Sequence, residues 1–210
     1  MRTARALAAA GVLLAAGLAA GCSSKKSTST TATTAATPGS TVAGAAVNPN
    51  APEVHEAGDI PDNAVFIAYS PPDKAYTVSY PEGWSQTGAG DRVSFTDKFN
   101  AIDVSVVAKA AAPTADSVTA TDLPAIAASA GNYKAGKVSK VTRKGGQAIL
   151  ATYQIDSAPN AVTGKTIRVA VERYEFWKNG KSVVLSLIGA TGADNVDPWR
   201  LVTDSFNWAA

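Results

Sequence analysis

The tetrapeptide Lys178-Asn179-Gly180-Lys181, set between two stretches rich in β-branched and aromatic residues, constrains this chain more than any other feature. An Asn-Gly pair supplies the two positive φ angles of a type I′ turn, whose twist matches the strands it joins. Residues 166–177 and 182–188 are therefore expected to form one long antiparallel hairpin. A second hairpin is expected over 138–142 and 147–155, about Arg143-Lys144-Gly145-Gly146, with the glycines supplying positive φ. Period-two alternation marks three earlier strands: Tyr76 to Tyr80, closed by Pro81-Glu82-Gly83-Trp84; Arg92 to Thr96; and residues 101–107, where Ile102, Val104 and Val106 share a face. These three are expected to open an antiparallel sheet, with Gly88-Ala89-Gly90-Asp91 as a turn.

Two segments have helical spacing instead. Leu123, Ile126, Ala127 and Ala130 recur at the helix period, with Thr121 or Asp122 as N-cap, Pro124 in the first turn and Gly131 as stop. Near the end, Asp197 is a suitable N-cap and Pro198 a suitable first residue for a helix that places Trp199, Val202 and Phe206 on one face. The fold class expected is α+β, an antiparallel sheet sandwiched with helices.

The first 57 residues are of another kind. A basic start (Arg2, Arg5), an apolar run from Ala6 to Ala20 and then Gly21-Cys22 have the order of a secretion signal, and the run is too short to span a membrane. Residues 1–21 are expected as a lipoprotein signal peptide. Leu18-Ala19-Ala20-Gly21-Cys22 resembles a bacterial lipobox, with Ala19 standing where Leu is usual. Cys22 is the only cysteine and sits where the apolar run ends, so it is the expected lipid-attachment residue. Two acyl chains meet the two-signal condition for stable anchoring. Residues 22–57 carry that cysteine and a Ser/Thr/Ala-rich tether with too little apolar surface to offset ordering. Within it, Ser23 and Lys26 match a Ser/Lys letter pattern, but a tether does not hold a catalytic pair rigid. Residues 58–210 are expected as a single domain, a size at which about two-thirds of the unfolded surface is buried.

The order of elements resembles the PsbP-like fold family, through Tyr76 to Trp84, the hairpin Tyr174 to Lys181 and the closing Asp204-Ser205-Phe206. Lipobox, tether and such a domain together resemble actinobacterial cell-envelope lipoproteins of the LpqN/LpqT type. The resemblance implies a three-layer α/β/α sandwich used for protein binding or assembly, and it brings no shared catalytic residues.

Composition excludes several chemistries. With one histidine and one cysteine, the usual zinc sites and a disulfide scaffold are ruled out, and Ser-His-Asp catalysis would have to use His55, which lies in Glu53-Val54-His55-Glu56 outside the expected domain. No cofactor or metal is expected. Without Arg2 and Arg5 the basic and acidic residues number 17 each, so a nucleic-acid partner is not expected. Glu172 with Glu175 and Asp194 with Asp197 are the paired carboxylates, and their positions favour solvent exposure and helix capping. Lys134, Lys137, Lys140, Arg143 and Lys144 are the one local concentration of charge; Lys140 and Arg143 flank a turn and are candidate contacts for an anionic envelope ligand. Trp177 beside the Asn-Gly turn is a candidate partner contact.

The function expected is that of an extracytoplasmic protein, held to the cell membrane through Cys22, whose domain binds an envelope protein or ligand without catalysis. An extracytoplasmic hydrolase with a Ser/Lys or carboxylate site, and a lipid carrier with an apolar cavity, are the alternatives.

Overall fold

Alternating apolar side chains impose two sheets on the part of the chain described by the structure, a computed structural model in which residues 58–160 and 162–209 are described. The expected signal peptide, Cys22, the tether and His55 lie outside the described residues. The larger sheet is antiparallel with strand order β3-β4-β5-β9-β8-β7-β6, formed by Ser85–Ala89, Arg92–Asp97, Asn100–Ala108, Lys181–Ala190, Arg168–Lys178, Gly146–Asp156 and Lys134–Arg143. A smaller sheet has β2 (Tyr76–Pro81) between β1 (Phe66–Tyr69) and β10 (Asn207–Trp208). The protein is α+β, as expected.

Both expected hairpins form. Asn179 and Gly180 have φ of 49° and 82°, the pair of positive angles required of that turn. In the other hairpin only Gly146 has positive φ. Gly145 is there for a different reason: a Cβ would collide with the carbonyl oxygen of Phe206, so the turn packs backbone to backbone against the C-terminal segment.

The expectation that Tyr76–Tyr80 opens the main sheet is corrected. β2 pairs with β1 and β10 instead, and its inward side chains face the main sheet from across the core. Period-two patterning tells which side of a strand is buried but not which strand lies next to it.

The first core fills the space between the main sheet, the small sheet and α3 (Val196–Ser205). It is aromatic. Tyr80 stacks on Phe95 at 3.9 Å between centroids, Phe206 on Phe176 at 4.1 Å, and Trp84 meets Trp199 edge-on at 6.4 Å. Trp199, Val202 and Phe206 are all buried, as their spacing predicts. The helix begins at Val196, so Asp197 is not its cap. Asn195 holds that position, and its side chain is committed elsewhere: its Oδ1 accepts from Ile60 N–H at 2.8 Å and its Nδ2 donates to the Gly58 carbonyl at 3.0 Å.

The opposite face of the main sheet carries the other helical layer. α1 (Ala115–Ser117), a π-helical turn (Val118–Asp122) and α2 (Leu123–Ser129) run as one segment. It starts earlier than expected, because Thr114 closes a capping box with Ser117 and so caps the segment about two turns upstream of Thr121 and Asp122. Val118, Leu123 and Ile126 press on Ile149, Ala151, Tyr153, Val169 and Val171 to form a second, smaller core.

Candidate functional site

Registered pairs give a row across the helix-side face of the main sheet: Val138, Ala151, Arg173, Ser186, Asp103, Ser94, Thr87. Its first members lie under the helical segment; from Ser186 onward small polar side chains face outward. The same strands β4, β5 and β9 send Val93, Phe95, Ile102, Val104, Leu185 and Leu187 into the first core. Alternation thus leaves one half of this face polar and uncovered.

Two hollows lie on that half and share Ser94 and Asp103. One, of about 450 Å³, is bounded by the polar side chains Thr87, Arg92 and Ser105 together with Val93 and Val104. The other, also about 450 Å³, is apolar at its base, with Ile155, Ile167, Val169, Ile188 and Phe99. Phe99 is 43% exposed and adds apolar surface to this hollow. Lys98 and Lys165 stand among the lining residues and enter no ion pair among the described residues. Asp156, also on the lining, is taken by Arg168 at 3.3 Å. The two hollows adjoin at Ser94 and Asp103 as a groove, with hydroxyl-bearing side chains and Arg92 about the first and a larger apolar surface with Lys98 and Lys165 about the second.

A cluster of ions lies beside it. Glu175 was expected to face solvent; it is 1% exposed, because β8 is covered on both faces, by α3 on one side and by the helical layer on the other. Its Oε1 accepts from Lys109 Nζ at 2.8 Å and its Oε2 from Arg173 at 3.0 Å. Lys109 also donates to Asp122 in the π-helical turn at 3.0 Å. Burial alone would raise the Glu175 pKa, but the hydrogen bond from Lys109 and the nearby positive charges outweigh it and hold the carboxyl below its usual value. Burial alone would lower the Lys109 pKa; hydrogen bonds to Glu175 and Asp122 more than offset this, and the amine is held above its usual value. The Ser182 hydroxyl is buried beside the carboxylate and adds to the lowering of its pKa.

This arrangement is unsuited to hydrolysis. A lysine serving as general base for a serine must be neutral, and Lys109 is stabilised as the cation. Glu172 and Glu175 are three residues apart on one strand, so they face opposite sides of the sheet: Glu172 accepts from the Tyr174 hydroxyl at 2.8 Å, while Glu175 is locked between cations. Among the described residues no group of three or more His, Cys, Asp or Glu is placed to hold a metal ion.

The residues singled out by sequence are divided by the sheet. Lys140 and Trp177 line one hollow of about 190 Å³, with Glu175 and Pro113. Trp177 is half-buried, and its indole N–H donates to the Lys109 carbonyl at 2.7 Å, so it steadies the strand that delivers Lys109. Arg143 points to the other face, where it donates to Thr203 Oγ1 at 3.0 Å and to the Tyr174 hydroxyl at 2.9 Å and lies over that ring. Burial, with the Glu172 charge, pushes the Tyr174 hydroxyl up to about 12. An odd separation on one strand sends Lys140 and Arg143 to opposite faces. Phe99 is among the aromatics the sequence offers as groove-lining candidates, and it does line this hollow; Lys98 and Lys109 were not foreseen as site residues.

No family model and no curated protein matches the chain. Solved structures do. PsbP of the cyanobacterium Synechocystis is 16% identical over 72% of this chain and 98% of its own, with a TM-score of 0.45. The Saccharomyces cerevisiae Ran-binding protein Mog1p is 9% identical over 69% of this chain and 96% of its own, at 0.47. LpqN of Mycobacterium tuberculosis, involved in cell envelope biogenesis, is 12% identical over 71% of this chain and 93% of its own, at 0.37. The chain spans 48% of the length of another similar structure, from Bacteroides thetaiotaomicron. These likenesses concern the fold and stay below a TM-score of 0.5.

Proposed function

We propose that this protein is an envelope lipoprotein of the LpqN/LpqT type, anchored through Cys22, whose domain binds an amphipathic envelope ligand without chemically changing it. The observation that carries the reading is the groove: hydroxyl-bearing side chains, Arg92 and Asp103 at one end suit a polar headgroup, and the Phe99 and Ile188 end suits an apolar chain. Lys98 and Lys165 favour a ligand with negative charge near the apolar end. The groove is open along its length, unlike the enclosed cavity of a carrier that must shield its cargo from water. Extracytoplasmic location follows from the leader, and the anchor keeps the groove within reach of lipid.

The test uses the full chain produced with its own leader in a bacterial host. A photoactivatable fatty acid is cross-linked to it, and the labelled peptides are read by mass spectrometry. Label concentrated on peptides holding Phe99, Ile155 or Ile188 is the expected result, with loss of membrane retention in Cys22→Ser. Label scattered over the surface, or release of product from an ester substrate, overturns the reading.

A further inference from the structure

One end of the main sheet carries exposed apolar and basic side chains together. The turn between β4 and β5, with Lys98 and Phe99, and the loop between β7 and β8 stand side by side there, since both line the apolar hollow. The loop is closed at its base, where Ser157 N–H donates to the Ile167 carbonyl at 2.9 Å and Ile167 N–H to Ser157 Oγ at 3.1 Å. At its tip, Asn160 Oδ1 accepts from Val162 N–H at 3.0 Å and from Thr163 N–H at 2.9 Å. A bonded turn therefore presents Val162, which is 92% exposed. Phe99 is the second large apolar side chain left open at this end, and Lys98 and Lys165 are beside it without an ion pair among the described residues.

The charge here is one-sided. On the groove face, Arg168 is matched by Asp156, and Asp103 lies about 10 Å further up β5, so Lys98 and Lys165 dominate the rim. Asp59, Asp97, Asp194 and Asp197 belong to the other face: Asp97 alternates with Phe95, Asp59 accepts from Asp194 N–H at 2.8 Å, and Asp197 is in the first turn of α3. The chain also enters the domain at this end. The carbonyl of Gly58, the first described residue, accepts from Nδ2 of Asn100, where β5 begins, at 2.9 Å. Between Cys22 and Gly58 lie 35 residues, and a coil of that length spans about 30 Å. An anchor at Cys22 thus keeps this end of the domain nearest the membrane.

We infer that this end docks on an anionic bilayer surface, with Phe99 and Val162 in the headgroup boundary and Lys98 and Lys165 on lipid phosphates, so that the apolar hollow opens onto the membrane. This rests on the anchored reading above and adds the face by which the domain meets the lipid. The open apolar side chains call for a covering surface; the two unpaired lysines and the entry of the tether select one made of acidic headgroups. Each lysine near such a surface strengthens attachment about fivefold. Because the domain is already tethered, docking is intramolecular and contacts this few suffice.

The full chain, acylated in a bacterial host and reconstituted into vesicles, tests this. With Cys22 acylated, Val162→Cys supplies the free thiol for an environment-sensitive fluorophore. Lys144→Cys, in the β6–β7 turn at the opposite end of the sheet, is the reference. In phosphatidylcholine vesicles with about one-fifth phosphatidylglycerol, acyl-brominated lipid should quench the label at 162 and leave that at 144 bright. The docked-to-free ratio should fall about fivefold in Lys98→Gln or Lys165→Gln and about 25-fold in the double variant. Equally weak quenching at both positions, in a chain that sediments with the vesicles, overturns the docking and leaves the anchor standing. Quenching at 162 that persists in pure phosphatidylcholine and in the double variant overturns the anionic surface. A chain with a bare Cys22 that stays out of the vesicle pellet overturns the anchored reading and the docking together.

Discussion

The two cores of this domain are built from different materials. The first is closed by rings: Tyr80 on Phe95, Phe176 on Phe206, Phe206 against Tyr76 at 6.0 Å, with α3 and a small sheet laid over them. The second is mainly aliphatic, is covered by one irregular helical segment, opens into a groove and is held along one edge by ions. Aromatic stacking in a sealed space gives high stability and little freedom. Aliphatic packing beside a bridge of two partly exposed groups, where Lys109 and Asp122 retain 28% and 22% exposure, gives less of the first and more of the second. The difference assigns stability to one side of the sheet and adaptability to the other.

Substitutions sharpen that contrast. Phe206→Ala removes a fully buried ring from two stacks and should lower unfolding free energy by about 3–5 kcal/mol in chemical denaturation. Next comes Glu175→Leu. With the carboxylate gone, Lys109 and Arg173 are left around a buried apolar side chain, and a loss of about 3 kcal/mol is expected. A neutral or stabilising result would mean that water relieves the cluster and that the ions do not hold the second core together. Val118→Ala removes two methyl groups from the most deeply buried side chain of the helical segment; about 2 kcal/mol is expected, with hydrogen exchange rising over 115–129 before it rises in the first core. Equal acceleration on both sides would abolish the distinction.

The smallest effect is that of pH. Glu175 has a lowered pKa in the folded state, so its contribution is present above the unfolded carboxylate value of about 4.3 and is lost as pH falls through the lower folded value. Lys109 has a raised pKa, so its contribution is complete below the unfolded value of about 10.4 and is lost as pH rises through the folded one. The stability difference between wild type and Glu175→Gln should therefore shrink below the ordinary carboxylate range. A difference that stays constant to low pH would show that the ionised form is not what the fold prefers.

The parts of this fold that were legible in the sequence are local ones. Asn179-Gly180 specified a turn, alternation specified which side of β4 and β5 faces inward, and spacing specified the buried face of α3. Three elements were missed. β1 and β10 are short, and β3 (Ser-Gln-Thr-Gly-Ala) has no apolar alternation because all five residues are exposed. The helical segment was found but not its start, since Thr114 and Ser117 cap it through reciprocal hydrogen bonds ahead of any apolar period. As for the site, Trp177 and Lys140 were chosen as surface contacts and do meet in one hollow, while Arg143 crosses to the other face. The groove itself could not be read, because its lining comes from β3, β4, β5, β7, β8 and β9, the turn between β4 and β5 and the loop after β7.

By itself the sequence determined the class of elements, the hairpin pairings, and the chemistry this chain lacks, since those depend on residues close together or on residue types that are simply rare. Only the tertiary structure decided that Glu175 is buried, that β2 joins a separate sheet and that two hollows adjoin at Ser94 and Asp103. Burial and adjacency depend on what lies opposite each side chain, and residues far apart in the chain, such as Lys109, Asp122 and Glu175, come to share one environment only when the layers close over them.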